Sequence, residues 1–181
     1  MEVKTTPIKG LLILQPRLFN DERGSFFESF NMHKFQEIID DKINFVQDNE
    51  SSSAKGVLRG LHFQSPPMMQ GKLVRVTQGA VLDVSVDIRS ASATYGKWFS
   101  IVLSAENNTQ FWIPPGFAHG FLALEDNSKF LYKCTSYYSP KDEGTIAWDD
   151  KDLAISWGNE KKIISIRDQQ GENFNKFTSL F

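Results

Sequence analysis

Between residues 80 and 88 the chain alternates strictly, with Leu82, Val84, Val86 and Ile88 set against Val81, Asp83, Ser85 and Asp87. A period of two built on β-branched residues suits a pleated strand with one buried face and does not match the 3.6-residue period of a helix. Comparable short runs occupy 72–77, 97–103, 110–113, 117–124 and 129–138. Between them stand turn formers: Gly79, Pro114-Pro115-Gly116 and Glu125-Asp126-Asn127-Ser128. Only 31–40 carries helical spacing, with Met32, Phe35, Ile38 and Ile39 on one face and Asn31 placed to cap it. Short strands at this spacing with so little helix predict an all-β chain, a sandwich or a barrel.

The 181 residues are enough for one well-cored domain spanning 1–181. Fifteen Phe and four Trp suit a large core or the wall of a binding cavity. A net charge of -2 gives no field for nucleic acid, so an anionic ligand would have to be met by local cations. The lone Cys134 excludes an intrachain disulfide and fits a reducing compartment. Near the start the longest apolar run is Leu11-Leu12-Ile13-Leu14, too short for a signal-peptide core or a membrane span. A cytoplasmic protein away from membranes is expected.

Three histidines are present, at 33, 62 and 119. His33 lies off the apolar face of the helix and reads as solvated. His62, in Arg59-Gly60-Leu61-His62-Phe63-Gln64, shares strand parity with Leu58 and Gln64; it suits a core histidine or a general base. His119 shares a face with Phe117 and Phe121, which suits a cavity wall or a packed core. Tyr132 has the parity of Phe130 and Cys134, so its phenol points inward to find an acceptor or to move a proton. Arg23, Arg59, Lys72 and Arg167 stand singly in apolar or turn settings. Each reads alone as a surface charge, yet together they number what a diphosphate needs. No His-x-His metal signature, Walker loop, dinucleotide fingerprint or nucleophile elbow occurs, and no metal is expected.

Four ordered motifs, Arg59–Gln64, Gly71-Lys72-Leu73-Val74-Arg75-Val76, Asp83–Arg89 and Ile113–Phe121, resemble the dTDP-4-dehydrorhamnose 3,5-epimerases. The likeness extends to 21–30, 46–49, Tyr132-Lys133, Glu143, Trp148 and Arg167-Asp168, and so covers about 10–170. It implies a jelly-roll (cupin-like) β-barrel with one short N-terminal helix and a few peripheral helical turns. It also implies a cytoplasmic homodimer that uses neither metal nor organic cofactor. The implied substrate is dTDP-4-dehydro-6-deoxy-D-glucose, inverted at C3 and C5. On the resemblance His62 is the proton acceptor, Asp168 its carboxylate partner, Tyr132 the proton donor and Lys72 the group meeting the C4 oxygen. Arg23, Glu28, Gln47, Asp48, Asn49, Arg59, Lys72, His119, Glu143 and Arg167 would contact the nucleotide sugar, the early ones across the dimer, with Phe19 or Phe27 stacking on thymidine. Phe63, Arg167 and Gly158 depart from the usual Tyr, Lys and Pro without removing a catalytic group. The competing readings are a mono-epimerase acting at C3 or C5 alone, a non-catalytic sugar-binding jelly roll and a metal-dependent cupin oxygenase.

Overall fold

A computed structural model describes residues 1–39 and 43–181. In chain order the strands are β1 (Glu2–Thr5), β2 (Leu12–Gln15), β3 (Phe19–Asp21) and β4 (Gly24–Phe26), followed by helix α1 (Met32–Ile39). Then come β5 (Gln47–Ser53), β6 (Val57–Gln64), β7 (Lys72–Gln78), β8 (Ala80–Asp87) and β9 (Trp98–Ser104). The last are β10 (Gln110–Ile113), β11 (Phe117–Ala123), β12 (Ser128–Cys134), β13 (Glu143–Thr145) and β14 (Ile163–Ile164).

One sheet runs β1-β2-β10-β7-β12-β5 and the other β13-β6-β11-β8-β9, with β14 added in parallel to β6. From β5 onward the chain passes repeatedly from one sheet to the other, which is the antiparallel winding of a jelly roll. Gly79 makes one such corner at positive φ, where a Cβ would lie 2.6 Å from Ser128 Oγ. Facing inner sides bury Val74, Val76, Val81, Leu103, Phe111, Phe117, Phe121 and Phe130 in a common core, with Phe121 and Phe130 stacked at 4.3 Å.

The outer sides are covered as well. Over the first sheet, α1 lays Phe35, Ile38 and Ile39 against Leu14, Leu73 and Trp112. Asn31 caps it, its Oδ1 accepting the Lys34 N–H at 3.2 Å. The last residue of the expected helix, Asp40, lies outside the described residues. Over the second sheet the C-terminal segment packs Ile146, Leu153 and Trp157 on Leu58, Val84, Val86 and Ile88. Strand β8 is therefore buried on both faces, not on one. Its sequence alternates because one side is purely apolar and the other carries Asp83, Ser85 and Asp87. The run expected to end at 138 stops as a strand at Cys134.

A bulge resets the parity of β6. His119 pairs with His62 and Phe121 with Arg59, so two steps on β11 answer three on β6. Gly60 absorbs the extra residue at φ +126. Leu58, Leu61 and Phe63 consequently join the outer cluster, while Arg59 and His62 fall on the other side. Unbroken alternation had placed His62 with Leu58; the bulge overturns that. The crossing is tight, because a Cβ on Gly60 would sit 2.5 Å from Gly120 Cα and 2.8 Å from the His119 carbonyl oxygen.

Gly24 has a similar φ of +120, with nothing within 4 Å of a built Cβ. Gly24→Ala should thus incur only the backbone strain, about 1–3 kcal/mol. Gly60→Ala adds backbone collisions and should cost clearly more in urea unfolding. Equal losses in the two variants would refute the account of the bulge.

Candidate active site

The edge of β6 is covered in two pieces. Strand β13 pairs with 62–64 and β14 with 57–58, while Ile146 exchanges backbone hydrogen bonds with Leu61. The gap falls at Gly60. A turn after β14 delivers Asp168 into it, and Asp168 Oδ2 accepts the Gly60 N–H at 3.3 Å. Its other oxygen meets His62 Nε2 at 2.7 Å. Burial raises the Asp168 pKa, but the His62 hydrogen bond and charge, the Gly60 N–H and Ser165 outweigh it and hold the carboxyl below its ordinary value. An ionised carboxylate only accepts, so the His62 proton sits on Nε2 and Nδ1 keeps its lone pair.

His62 opens into a cavity of about 260 Å³, lined also by Gln47, Asn49, Gln64, Gln70, Lys72, Tyr132, Tyr138 and Glu143. His62 comes from the second sheet, whereas Lys72 and Tyr132 come from β7 and β12 of the first, so imidazole and phenol stand on opposing walls. Burial pushes the Tyr132 phenol above its usual pKa, reinforced by Cys134 and Glu143 and opposed by Arg59. The phenol therefore carries its proton at neutral pH. Lys72, read alone as a surface charge, is enclosed between the sheets. Burial lowers its pKa, and the fields of Cys134, Asp83 and Glu143 pull it back up.

Deeper in the same wall His119 Nε2 meets Asp83 Oδ2 at 2.8 Å, both side chains being buried. Burial lowers the His119 pKa, and the Asp83 charge and hydrogen bond offset part of that. Of the two readings left open for His119, the structure supports the packed one: it is buried, stacked 6.0 Å from Phe130 and bonded to Asp83. Asp83 Oδ1 and Ser85 Oγ have no hydrogen-bond partner among the described residues.

Other expected residues fall in three places. Glu143 sits at the cavity rim, bound by Arg167 and by the Tyr138 hydroxyl at 2.7 Å. Burial raises its pKa, and these donors bring it below the usual value. Arg59, Arg167 and Asp168 line an adjoining cleft that shares His62, with Arg59 Nε donating to Ser53 Oγ at 3.2 Å. Gln47 and Asn49 face the cavity and bond to each other at 3.0 Å. Asp48, between them on β5, points to the outer side and pairs with Lys133 at 2.9 Å.

Arg23 and Glu28 are apart from this cavity. Arg23 pairs with Asp21 on the β3–β4 hairpin, and Glu28 pairs with Lys34 of α1. On that hairpin Phe19 stands opposite Phe26, and both rings are exposed. His33 is solvated as expected, near Glu37 at 3.5 Å. Sequence reasoning missed Asp83, Tyr138 and Phe26 as functional candidates. Asp83 alone left a signal, being a carboxylate two residues from Val81 and Ser85 in a strand whose other side is wholly apolar. Among the described residues no group of three or more His, Cys, Asp or Glu is arranged to hold a metal, and no helix is long and apolar enough to cross a membrane.

The family model described as dTDP-4-dehydrorhamnose 3,5-epimerase matches residues 5–176. The enzyme of that name from Salmonella typhimurium is 56% identical over 157 residues, covering 87% of this chain and 86% of its own length. Its counterpart from Shigella flexneri is 51% identical over 174 residues, 96% of each chain. A crystal structure of dTDP-6-deoxy-D-glucose-3,5-epimerase from Legionella pneumophila, in complex with dTDP-4-keto-L-rhamnose, superposes with a TM-score of 0.93 at 48% identity, covering 96% of this chain and 93% of that one. With its jelly-roll sheets, a His–Asp pair at a bulge and this degree of likeness along nearly its whole length, the chain belongs to the dTDP-4-dehydrorhamnose 3,5-epimerase family.

Proposed function

We propose that this protein inverts C3 and C5 of dTDP-4-dehydro-6-deoxy-D-glucose, giving dTDP-4-dehydro-L-rhamnose. The observation that carries the reading is His62, held by the buried Asp168, facing Tyr132 across one cavity that also contains Lys72.

The chemistry requires little more than these groups. Hydrogens at C3 and C5 are acidic because they flank the C4 ketone, so no metal or organic cofactor is called for. His62 Nδ1 takes the proton, the C–H electron pair moves into the enolate, and the negative charge settles on the C4 oxygen. The Lys72 ammonium meets that oxygen. The Tyr132 hydroxyl then protonates the carbon from the opposite face, the enolate pair forming the new C–H bond. Water returns a proton to Tyr132 and removes one from His62, so that the net change is isomerisation.

For the rest of the substrate, Arg59 and Arg167 in the adjoining cleft suit a diphosphate, and Gln47, Asn49, His119 and Glu143 suit the sugar and its linkage. Arg23, Glu28 and Asp48, with the exposed pair Phe19 and Phe26, lie where a second copy of the chain could use them. A homodimer in which the hairpin of one protomer closes the site of the other accounts for both exposed rings. A nucleotide-sugar substrate supports a cytoplasmic setting for the reaction.

Incubation with the substrate in heavy water should introduce deuterium at both C3 and C5 with inversion. Label at one carbon only would instead identify a mono-epimerase, and label at neither would leave a sugar-binding protein. His62→Ala should reduce turnover by about 10²–10⁴-fold. Tyr132→Phe keeps the base, so wash-in of deuterium should outlast inversion; parallel loss of both would remove Tyr132 from its role.

Asp168→Asn should lower kcat by at least about 10²-fold, since the amide no longer fixes the imidazole as a base. The variant also has a signature in stability. The folded pKa of Asp168 is depressed, so its contribution is full above the ordinary carboxyl value, about pH 4, and is lost as the pH falls through the folded value. Acid unfolding of Asp168→Asn should lack that portion of the slope; an unchanged curve would contradict the pairing.

A further inference from the structure

An ammonium enclosed between two sheets needs a negative partner to stay charged. Lys72 lies on the inner side of β7 with Val74 and Val76, across the core from the inner side of β8, where Asp83 follows Val81. Cys134 stands opposite it on β12, His62, Tyr132 and Glu143 share its cavity, and the charges of Asp83 and His119 act within its field. Tyr132 lies two residues from Cys134 on the same side of β12.

Most of these cannot supply the charge. Burial pushes the Cys134 thiol up, so it is neutral at physiological pH, as is the Tyr132 phenol. The Glu143 carboxylate is already committed to Arg167 and to the Tyr138 hydroxyl. His119 is neutral or, if protonated, of the same sign as Lys72. Asp83 differs. It is fully buried, one oxygen is bound to His119, and Oδ1 has no hydrogen-bond partner among the described residues.

We propose that Asp83 is a positioning residue whose carboxylate keeps Lys72 protonated, with His119 as the strut that holds the carboxylate in place. This rests on the reading that the Lys72 ammonium meets the C4 oxyanion. Asp83 does not touch the substrate in this scheme; it acts through Lys72. Without it the lysine loses its proton as the pH rises, and a neutral amine meets the oxyanion with a hydrogen bond but no charge. The same arrangement gives His119 a defined tautomer, with Nε2–H donating to Asp83 and Nδ1 free.

The test is Asp83→Asn, which keeps an oxygen for His119 and removes the charge. In whole protein labelled with carbon-13 at lysine Cε, the Lys72 resonance is assigned by its disappearance in Lys72→Arg. Its titration midpoint should fall by about one unit or more in Asp83→Asn. The alkaline limb of the kcat profile should move the same way, with KM changed by less than about twofold. Asp83→Glu should restore the limb in part. A merely structural role would lower kcat at every pH with the Lys72 midpoint and the limb unmoved, and that result overturns the proposal. If Asp83→Asn does not fold, the unmodified protein decides. The Asp83 carboxyl resonance should respond at the pH where Lys72 titrates, and silence there overturns the pairing. Lys72→Met separates the two readings: undiminished kcat would defeat the role of Lys72 in turnover, whereas the resonance midpoints report the Asp83–Lys72 pairing directly.

Discussion

The Asp168 carboxylate fills the one place along the edge of β6 where neither flanking strand reaches. A backbone N–H at a buried bulge needs an acceptor, and Asp168 Oδ2 supplies it at Gly60. The same carboxylate then has one oxygen left for His62. Fold and chemistry thereby share a group: the contact that completes the β6 edge also chooses which imidazole nitrogen is basic. This ties the last part of the chain to its middle, since Asp168 is separated from His62 by 106 residues and arrives only after β14 has paired with Val57 and Leu58.

Burial acts on the surrounding groups in a consistent direction. It raises the phenol of Tyr132 and the thiol of Cys134 and lowers the amine of Lys72, in each case favouring the neutral form. The carboxylates of Asp168 and Glu143 escape because donors bind them directly. Negative charge in the cavity is therefore concentrated where hydrogen bonds hold it, and the Tyr132 phenol keeps its proton. Tyr132 packs against the apolar cluster that contains Phe111, Phe117, Phe121 and Phe130.

Much of the architecture was legible in the sequence because strands announce themselves locally. The alternation of 80–88, the turn formers between runs and the single helical stretch with Asn31 ahead of it all reappear in place. What alternation could not convey was which side of each strand meets solvent. In β8 both sides are covered, one by the facing sheet and one by the C-terminal segment, and a local pattern holds no record of a segment so far away in sequence. The parity of His62 was misread for a related reason. A single inserted residue at Gly60 reverses every later side chain, and only the pairing with β11 reveals it. The site was legible in part through the family resemblance, which singled out His62, Lys72, Tyr132 and Asp168. Alternation marks no role for Asp83, because what its carboxylate can do depends on what lies opposite it.

The winding of the sheets also explains why one cavity can hold a base and an acid suited to inversion. Side chains in a row across a single sheet project in one direction and would reach a bound sugar ring from the same side. Removal and return of a proton by such neighbours would restore the original configuration. Here β6 and β12 belong to different sheets, with their inner sides turned toward each other, so His62 and Tyr132 approach the intervening space from opposite directions. Lys72, also on the first sheet, stands one strand from Tyr132 and level with Cys134. On the proposed reading it would meet the C4 oxygen while His62 and Tyr132 act from the two sides of the sugar. Inversion by this fold depends less on any unusual side chain than on two ordinary ones being carried by strands that never pair.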